Sequence, residues 1–174
     1  MKLPLSIHLS IHFILAVLVG YLVGQYFGII WLGIIAGILG GFFIDLDHIL
    51  EYFLVFGLHF NFIYFLKGHQ FLISNKMYLW FHAWEYVLVI SIIIWVCWHQ
   101  HITSMVIFLT ALNLCIALHL ITDCIINQFP PKNYSLIYRW NCNFSTPRLL
   151  SLKQYQGNLE QKQKINMRLN NVSK

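Results

Sequence analysis

The chain has 174 residues, of which 59% are hydrophobic and 10% charged, with a mean hydropathy of +0.66 and a net charge of +5. A soluble domain carries roughly 25% charged residues, so the composition excludes an ordinary soluble globular protein and describes one membrane-embedded domain. Eight of the eleven Lys and Arg residues follow Pro131, where they read as positive charge flanking a membrane helix on its cytoplasmic side rather than as a nucleic-acid surface.

The first apolar segment, residues 3–26, is long enough to cross a hydrocarbon core of roughly 30 Å. Its positive flank is Lys2 alone and no small-residue cleavage site follows, so a retained helix is expected rather than a signal peptide. His8 and His12 are spaced i, i+4 and share a helix face. Inside a membrane helix such side chains turn toward the bundle interior and mark function. Gly20 and Gly24, then Gly33, Gly37 and Gly41, repeat at four-residue spacing, which lets two membrane helices approach closely. The first two helices are therefore expected to form a hairpin joined at residues 25–28.

The second apolar run, residues 29–44, ends in Asp45-Leu46-Asp47-His48. Two carboxylates and an imidazole within four residues are costly at a membrane boundary unless a metal ion, a cation or water compensates them. Residues 48–76 lose spanning character and read as an interfacial segment, part helix and part loop, containing His59, Lys67 and His69. A third spanning helix is expected over residues 77–98, with His82 and Glu85 at i, i+3 on one face. The fourth, residues 102–126, carries His119 and Asp123 at i, i+4 near its far end. His99 and His101 fall at the opposite surface. The four cysteines form no CxxC pair and read as small apolar residues.

The expected fold class is thus all-α: a polytopic membrane protein of about four transmembrane helices, with an interfacial segment between the second and third. The membrane domain covers residues 1–146, and residues 147–174 form a basic, polar cytoplasmic tail. Lys2, the Lys67 and Lys76 loop and the tail face the cytoplasm under the positive-inside rule, so both termini are expected inside, in a cytoplasmic membrane. That topology brings His8, His12, Asp45, Asp47, His48, His82, Glu85, His119 and Asp123, from four segments, to one layer.

Mixed imidazole and carboxylate donors suit zinc first, with manganese or iron possible. One tetrahedral ion needs about four ligands, so these nine imply two ions, or one ion with further residues supporting its ligands. Such a centre activates water and clamps a phosphoryl or acyl oxygen. Asp47, His48 and Glu85 are the expected catalytic residues. Lys67 and Arg139 are expected to hold phosphate oxygens of a phosphoester, at headgroup depth a lipid or lipid-linked one. A transporter would distribute its polar groups along a path through the bilayer, and a structural metal site would be coordinatively closed; both remain alternatives.

The order of these motifs also resembles the YdjM-type membrane-bound, metal-dependent hydrolases. The likeness rests on His8 or His12, Asp45-Leu46-Asp47-His48, His82-Ala83-Trp84-Glu85 and His119-Leu120-Ile121-Thr122-Asp123, and it covers roughly residues 8–145. Many members have Pro before Asp-x-Asp-His and His-Ser at the third element, where this chain has Ile44 and His82-Ala83. The resemblance implies a hydrolase and leaves the substrate open.

Overall fold

A computed structural model describes residues 5–66 and 68–172, with side-chain surroundings for residues 7–66 and 68–164. Ten α-helices follow in order among the described residues: α1 (Leu5–Phe27), α2 (Ile30–Gly41), α3 (Leu46–Phe56), α4 (Phe62–Leu66), α5 (His69–Ser74), α6 (Trp84–His99), α7 (Thr103–Ile126), α8 (Leu136–Asn141), α9 (Thr146–Leu149) and α10 (Leu152–Val172). Short 3-10 turns occupy Phe43–Asp45 and Pro131–Tyr134. No strand occurs among these residues, and the one antiparallel bridge joins Lys76 to Ser145. Three helical runs, Ile7–Phe27, Ile30–Phe56 and Thr103–Ile126, are long and apolar enough to cross a membrane. The chain is therefore an all-α membrane protein.

Contacts divide it into two units, one of residues 1–46 and 80–136, the other of residues 47–79 and 137–174. In the first, α7 packs against α1, α2 and α6, and α1 packs along α2. The α1–α2 hairpin turns at Gly28, whose φ of +83° is a conformation that glycine adopts without a steric cost. Along the hairpin the backbones nearly touch: a Cβ added to Gly20 would collide with the Gly33 carbonyl, and one added to Gly33 with the Gly20 carbonyl. Small residues are what permit this approach, since lipid supplies no hydrophobic drive toward helix association. Val23, Ala36 and Ala111 continue the tight layer. A second cluster, Ile44, Ile116, Leu120 and Tyr134, fills the other end of the unit. A polar link also ties α7 to α6, the Asn113 amide donating to Ser91 Oγ at 2.9 Å.

The third apolar segment departs from expectation. Its helix begins at Trp84 instead of residue 77 and has 16 residues, about 24 Å at 1.5 Å per residue. Residues 77–79 are held otherwise, within the second unit. Glu51 accepts the N–H groups of Tyr78 at 2.8 Å and Leu79 at 3.3 Å, and Met77 N–H donates to the Phe144 carbonyl at 2.9 Å. Leu79 carries a φ of 43°, incompatible with a continuing right-handed helix. The same unit buries Tyr52 among Phe56, Phe60 and Phe65, with its hydroxyl accepting the Asn61 N–H at 2.9 Å. The polar tail, expected to hold a short helix, forms α10 over 21 residues and packs on α5.

The hairpin contact sets a first expectation. Gly33→Leu forces α1 and α2 apart and should cost about 1–3 kcal/mol or more, read as a lowered thermal midpoint of the detergent-solubilised protein. Leu22→Val, at a position facing away from the bundle, should leave the midpoint nearly unchanged.

A candidate metal centre

α7 supplies two of the donors. His119 and Asp123 are one turn apart on its buried face, 2% and 4% exposed. The His119 orientation is set by α2: its Nδ1 lies 2.9 Å from the Gly41 carbonyl. A carbonyl only accepts, so Nδ1 carries a proton and Nε2 is the ring nitrogen left to face the other donors. Gly41 sits close enough to α1 and α7 that an added Cβ would lie 2.8 Å from the Ala16 Cβ and 3.3 Å from that of Cys115. The backbone approach that delivers this carbonyl therefore depends on glycine. The Cys115 thiol packs beside it, 3.7 Å from the Ala16 carbonyl, as a small buried residue.

After Gly41 the chain tightens into the 3-10 turn Phe43–Asp45, and Asp45 ends that turn. His82 comes from the stretch before α6, where Ala83 is extended (φ −141°, ψ 129°), and it is fully buried. His82 Nε2 stands 3.0 Å from His119 Nε2. Asp45 Oδ1 is 3.3 Å from His82 Nε2 and 3.5 Å from His119 Nε2. Asp123 Oδ2 is 3.6 Å from each of the same two nitrogens.

These five separations put each carboxylate within reach of both imidazole nitrogens, and His82, His119 and Asp123 form a buried trio of donors close enough to share an ion. Four ligands at about 2.0–2.1 Å from a tetrahedral zinc lie about 3.3–3.4 Å from one another. The donor set is two imidazoles and two carboxylates, and one imidazole has its Nε2 directed inward by a backbone carbonyl, as metal-binding histidines usually have. The residues present thus fit a divalent cation. The other Asp123 oxygen, Oδ1, accepts from His8 Nε2 at 2.9 Å and His12 Nε2 at 3.2 Å. The His12 ring also stacks on that of His119, centroids 3.8 Å apart. Three donors are enclosed; the Asp45 side chain is 21% exposed and marks the accessible side.

Six of the nine expected ligands, His8, His12, Asp45, His82, His119 and Asp123, thus meet in the first unit. Glu85 does not join them. His82 precedes α6, so the i, i+3 helical face expected for the pair does not exist, and the Glu85 carboxylate accepts from Ser135 Oγ at 2.6 Å and the Leu136 N–H at 3.0 Å. Asp47 and His48 fall in the second unit, on the first turn of α3; Asp47 is buried there, and His48 packs edge-on to Phe71. Lys67 lies outside the described residues. Arg139, expected as a phosphate-holding or snorkelling side chain, is fully buried and donates from Nη2 to the Leu79 carbonyl at 2.9 Å. That carbonyl is buried too, so the guanidinium serves the interior of its own unit. Sequence reasoning missed the Gly41 carbonyl, because a backbone acceptor leaves no mark in residue identity.

Comparison of the chain with protein-family models, curated proteins and solved structures finds no match.

Elemental analysis and competition with a chromogenic chelator check the donor set. His82→Ala, His119→Ala and Asp123→Ala should lose the bound ion, while His8→Ala and His12→Ala, which free one Asp123 oxygen, should weaken binding about 10- to 100-fold. His99→Ala, on a ring that packs against Trp95 at the end of α6, should bind as the parent does.

Proposed function

We propose that this chain is a membrane-bound, metal-dependent hydrolase of the YdjM type, acting on an ester or phosphoester. The observation that carries the reading is the buried trio of His82, His119 and Asp123 donors, with Asp45 Oδ1 beside the two imidazoles, within an apolar helix bundle. In the proposal His82, His119 and Asp123 hold the ion, zinc by preference, and His8 and His12 fix Asp123 through its second oxygen. Bound there, a divalent ion lowers the pKa of a water molecule and polarises the oxygen of the scissile group. Asp45, the accessible carboxylate beside both imidazoles, would accept the proton of the attacking water. A hydrolytic site keeps three protein ligands and an open position, whereas a structural site is closed by four. The exposure of Asp45 favours the first arrangement and its distance from the imidazoles leaves the second as the competing one. With Arg139 enclosed, the ion itself is the positive charge facing a phosphoryl oxygen.

The fourth crossing, by α6, and the cytoplasmic position of both termini belong to the same proposal. They are supported by the absence of Lys and Arg around residues 27 and 100 and by the basic residues after Pro131.

Two measurements test these points. Asp45→Asn should keep the ion yet lose about 10²- to 10⁴-fold in turnover, the usual contribution of a general base, across a panel of phosphodiesters and carboxylic esters with chelator controls. Loss of the ion in Asp45→Asn, with no hydrolysis by the zinc-loaded parent, would establish the closed structural site instead. For topology, a reporter fused after Lys174 should read cytoplasmic and one inserted at Gln100 should read outside; the reverse pattern would put the donor layer at the outer face.

A further inference from the structure

We infer that the groove between α2, α6 and α7 binds one hydrocarbon chain of an amphiphilic substrate and thereby presents its ester or phosphoester group to the donor cluster. This inference rests on the hydrolase reading for its chemistry and on the groove itself for its ligand class.

The groove has a volume of about 370 Å³, within the range of small-ligand sites, about 300–1,000 Å³. Leu39, Ile44, Phe81, Ile90, Leu112 and Ile116 line it, and the Tyr86 phenol is its one polar-tipped side chain. Three of these residues abut metal donors in the chain. Ile44 precedes Asp45, Phe81 precedes His82, and Ile116 lies one turn before His119 on α7. Leu112 is seven residues from His119, about 10 Å along the helix axis at 1.5 Å per residue, and Leu39 and Ile90 lie similarly far from Asp45 and His82 in sequence. The groove therefore runs from the donors into the apolar length of the bundle.

Its position limits the occupant. Leu39 and Phe81 are each more than two-fifths exposed, so the groove opens on the surface of the unit, and Leu39 and Leu112 belong to runs apolar and long enough to cross a membrane. Water finds a single side-chain partner along such walls, the Tyr86 hydroxyl, and an empty groove would forgo the dispersion contacts of everything lining it. A headgroup has no charged partner among the lining residues. A methylene chain satisfies both conditions and leaves its polar end at Ile44 and Phe81, beside Asp45 and His82. Binding energy from the remote chain then orients the reacting group, which is how non-reacting parts of a substrate raise turnover.

The test uses the full-length, zinc-loaded protein in detergent and two substrates with one headgroup, a butanoyl and a palmitoyl form. Leu39→Trp and Ile90→Trp fill the deep end, and Leu88→Trp, on the opposite, lipid-facing side of α6, is the control; metal content certifies folding. The groove variants should raise KM for the palmitoyl substrate about tenfold or more and leave the butanoyl substrate and the control unchanged. Equal handling of both substrates by the metal-replete groove variants would overturn the inference while leaving the hydrolase reading intact. A second readout needs no turnover. A palmitoyl probe with a photoreactive chain end should label Leu39, Ile90 and Leu112 in excess over Leu88 and Ile14, and palmitoyl but not butanoyl competitor should remove that excess. Uniform labelling of all lipid-facing positions would reduce the groove to ordinary lipid contact. Saturable groove labelling in a protein that hydrolyses neither substrate would uphold the binding site and sink the hydrolase reading.

Discussion

An ionised carboxylate inside an apolar helix bundle costs several kcal/mol unless each of its oxygens is answered, and Asp123 is that carboxylate. Its Oδ1 receives His8 and His12 from α1, and its Oδ2 faces His82 from the stretch before α6 and His119 from its own helix. One side chain thereby ties three segments of the first unit together. Asp45, from the turn after α2, brings in the fourth. The helices can adopt other packings that bury as much apolar surface against lipid or one another, because lipid rewards no particular one. Satisfying Asp123 admits far fewer.

Reaching that carboxylate requires the backbones to come close, and the glycines of α1 and α2 permit it. Gly20 and Gly33 bring the hairpin into near contact, and Gly41 lets the end of α2 sit against Ala16 and Cys115. From there the Gly41 carbonyl orients the His119 ring. A packing motif in the middle of a hairpin and the orientation of a candidate donor at its end are therefore parts of one arrangement. The apolar walls that continue from the donors along α2, α6 and α7 belong to it as well, since Ile44 and Ile116 serve both the interior cluster and the groove.

The second unit solves a similar problem by a different route. Glu51 and Arg139 are buried, and both act on Leu79: the carboxylate takes its N–H and the guanidinium donates to its carbonyl. A residue with a positive φ cannot use helical partners for those groups, so two buried polar side chains supply them. Arg139 is fully buried in this structural role, so a cation expected at the substrate is instead part of an interior.

Several features were legible in the residues alone. Apolar length identified three runs long enough to span a membrane, four-residue glycine spacing identified the hairpin, and the i, i+4 spacings of His8 with His12 and His119 with Asp123 identified two faces of the donor cluster, because helical periodicity converts sequence distance directly into direction. That logic stops where the helix stops. Residues 77–83 are apolar enough to read as helix, yet partners distant in the chain, Glu51 and Phe144, take the N–H groups of Met77, Tyr78 and Leu79. Consequently His82 reaches the donors from a non-helical stretch, and Glu85 answers Ser135 and Leu136 instead. The sequence by itself determined which polar residues lie within apolar segments, since composition and period are local properties. Only the tertiary structure decided which of them face one another, which oxygen each imidazole meets and which arginine is enclosed, since those follow from contacts between residues as many as 115 positions apart.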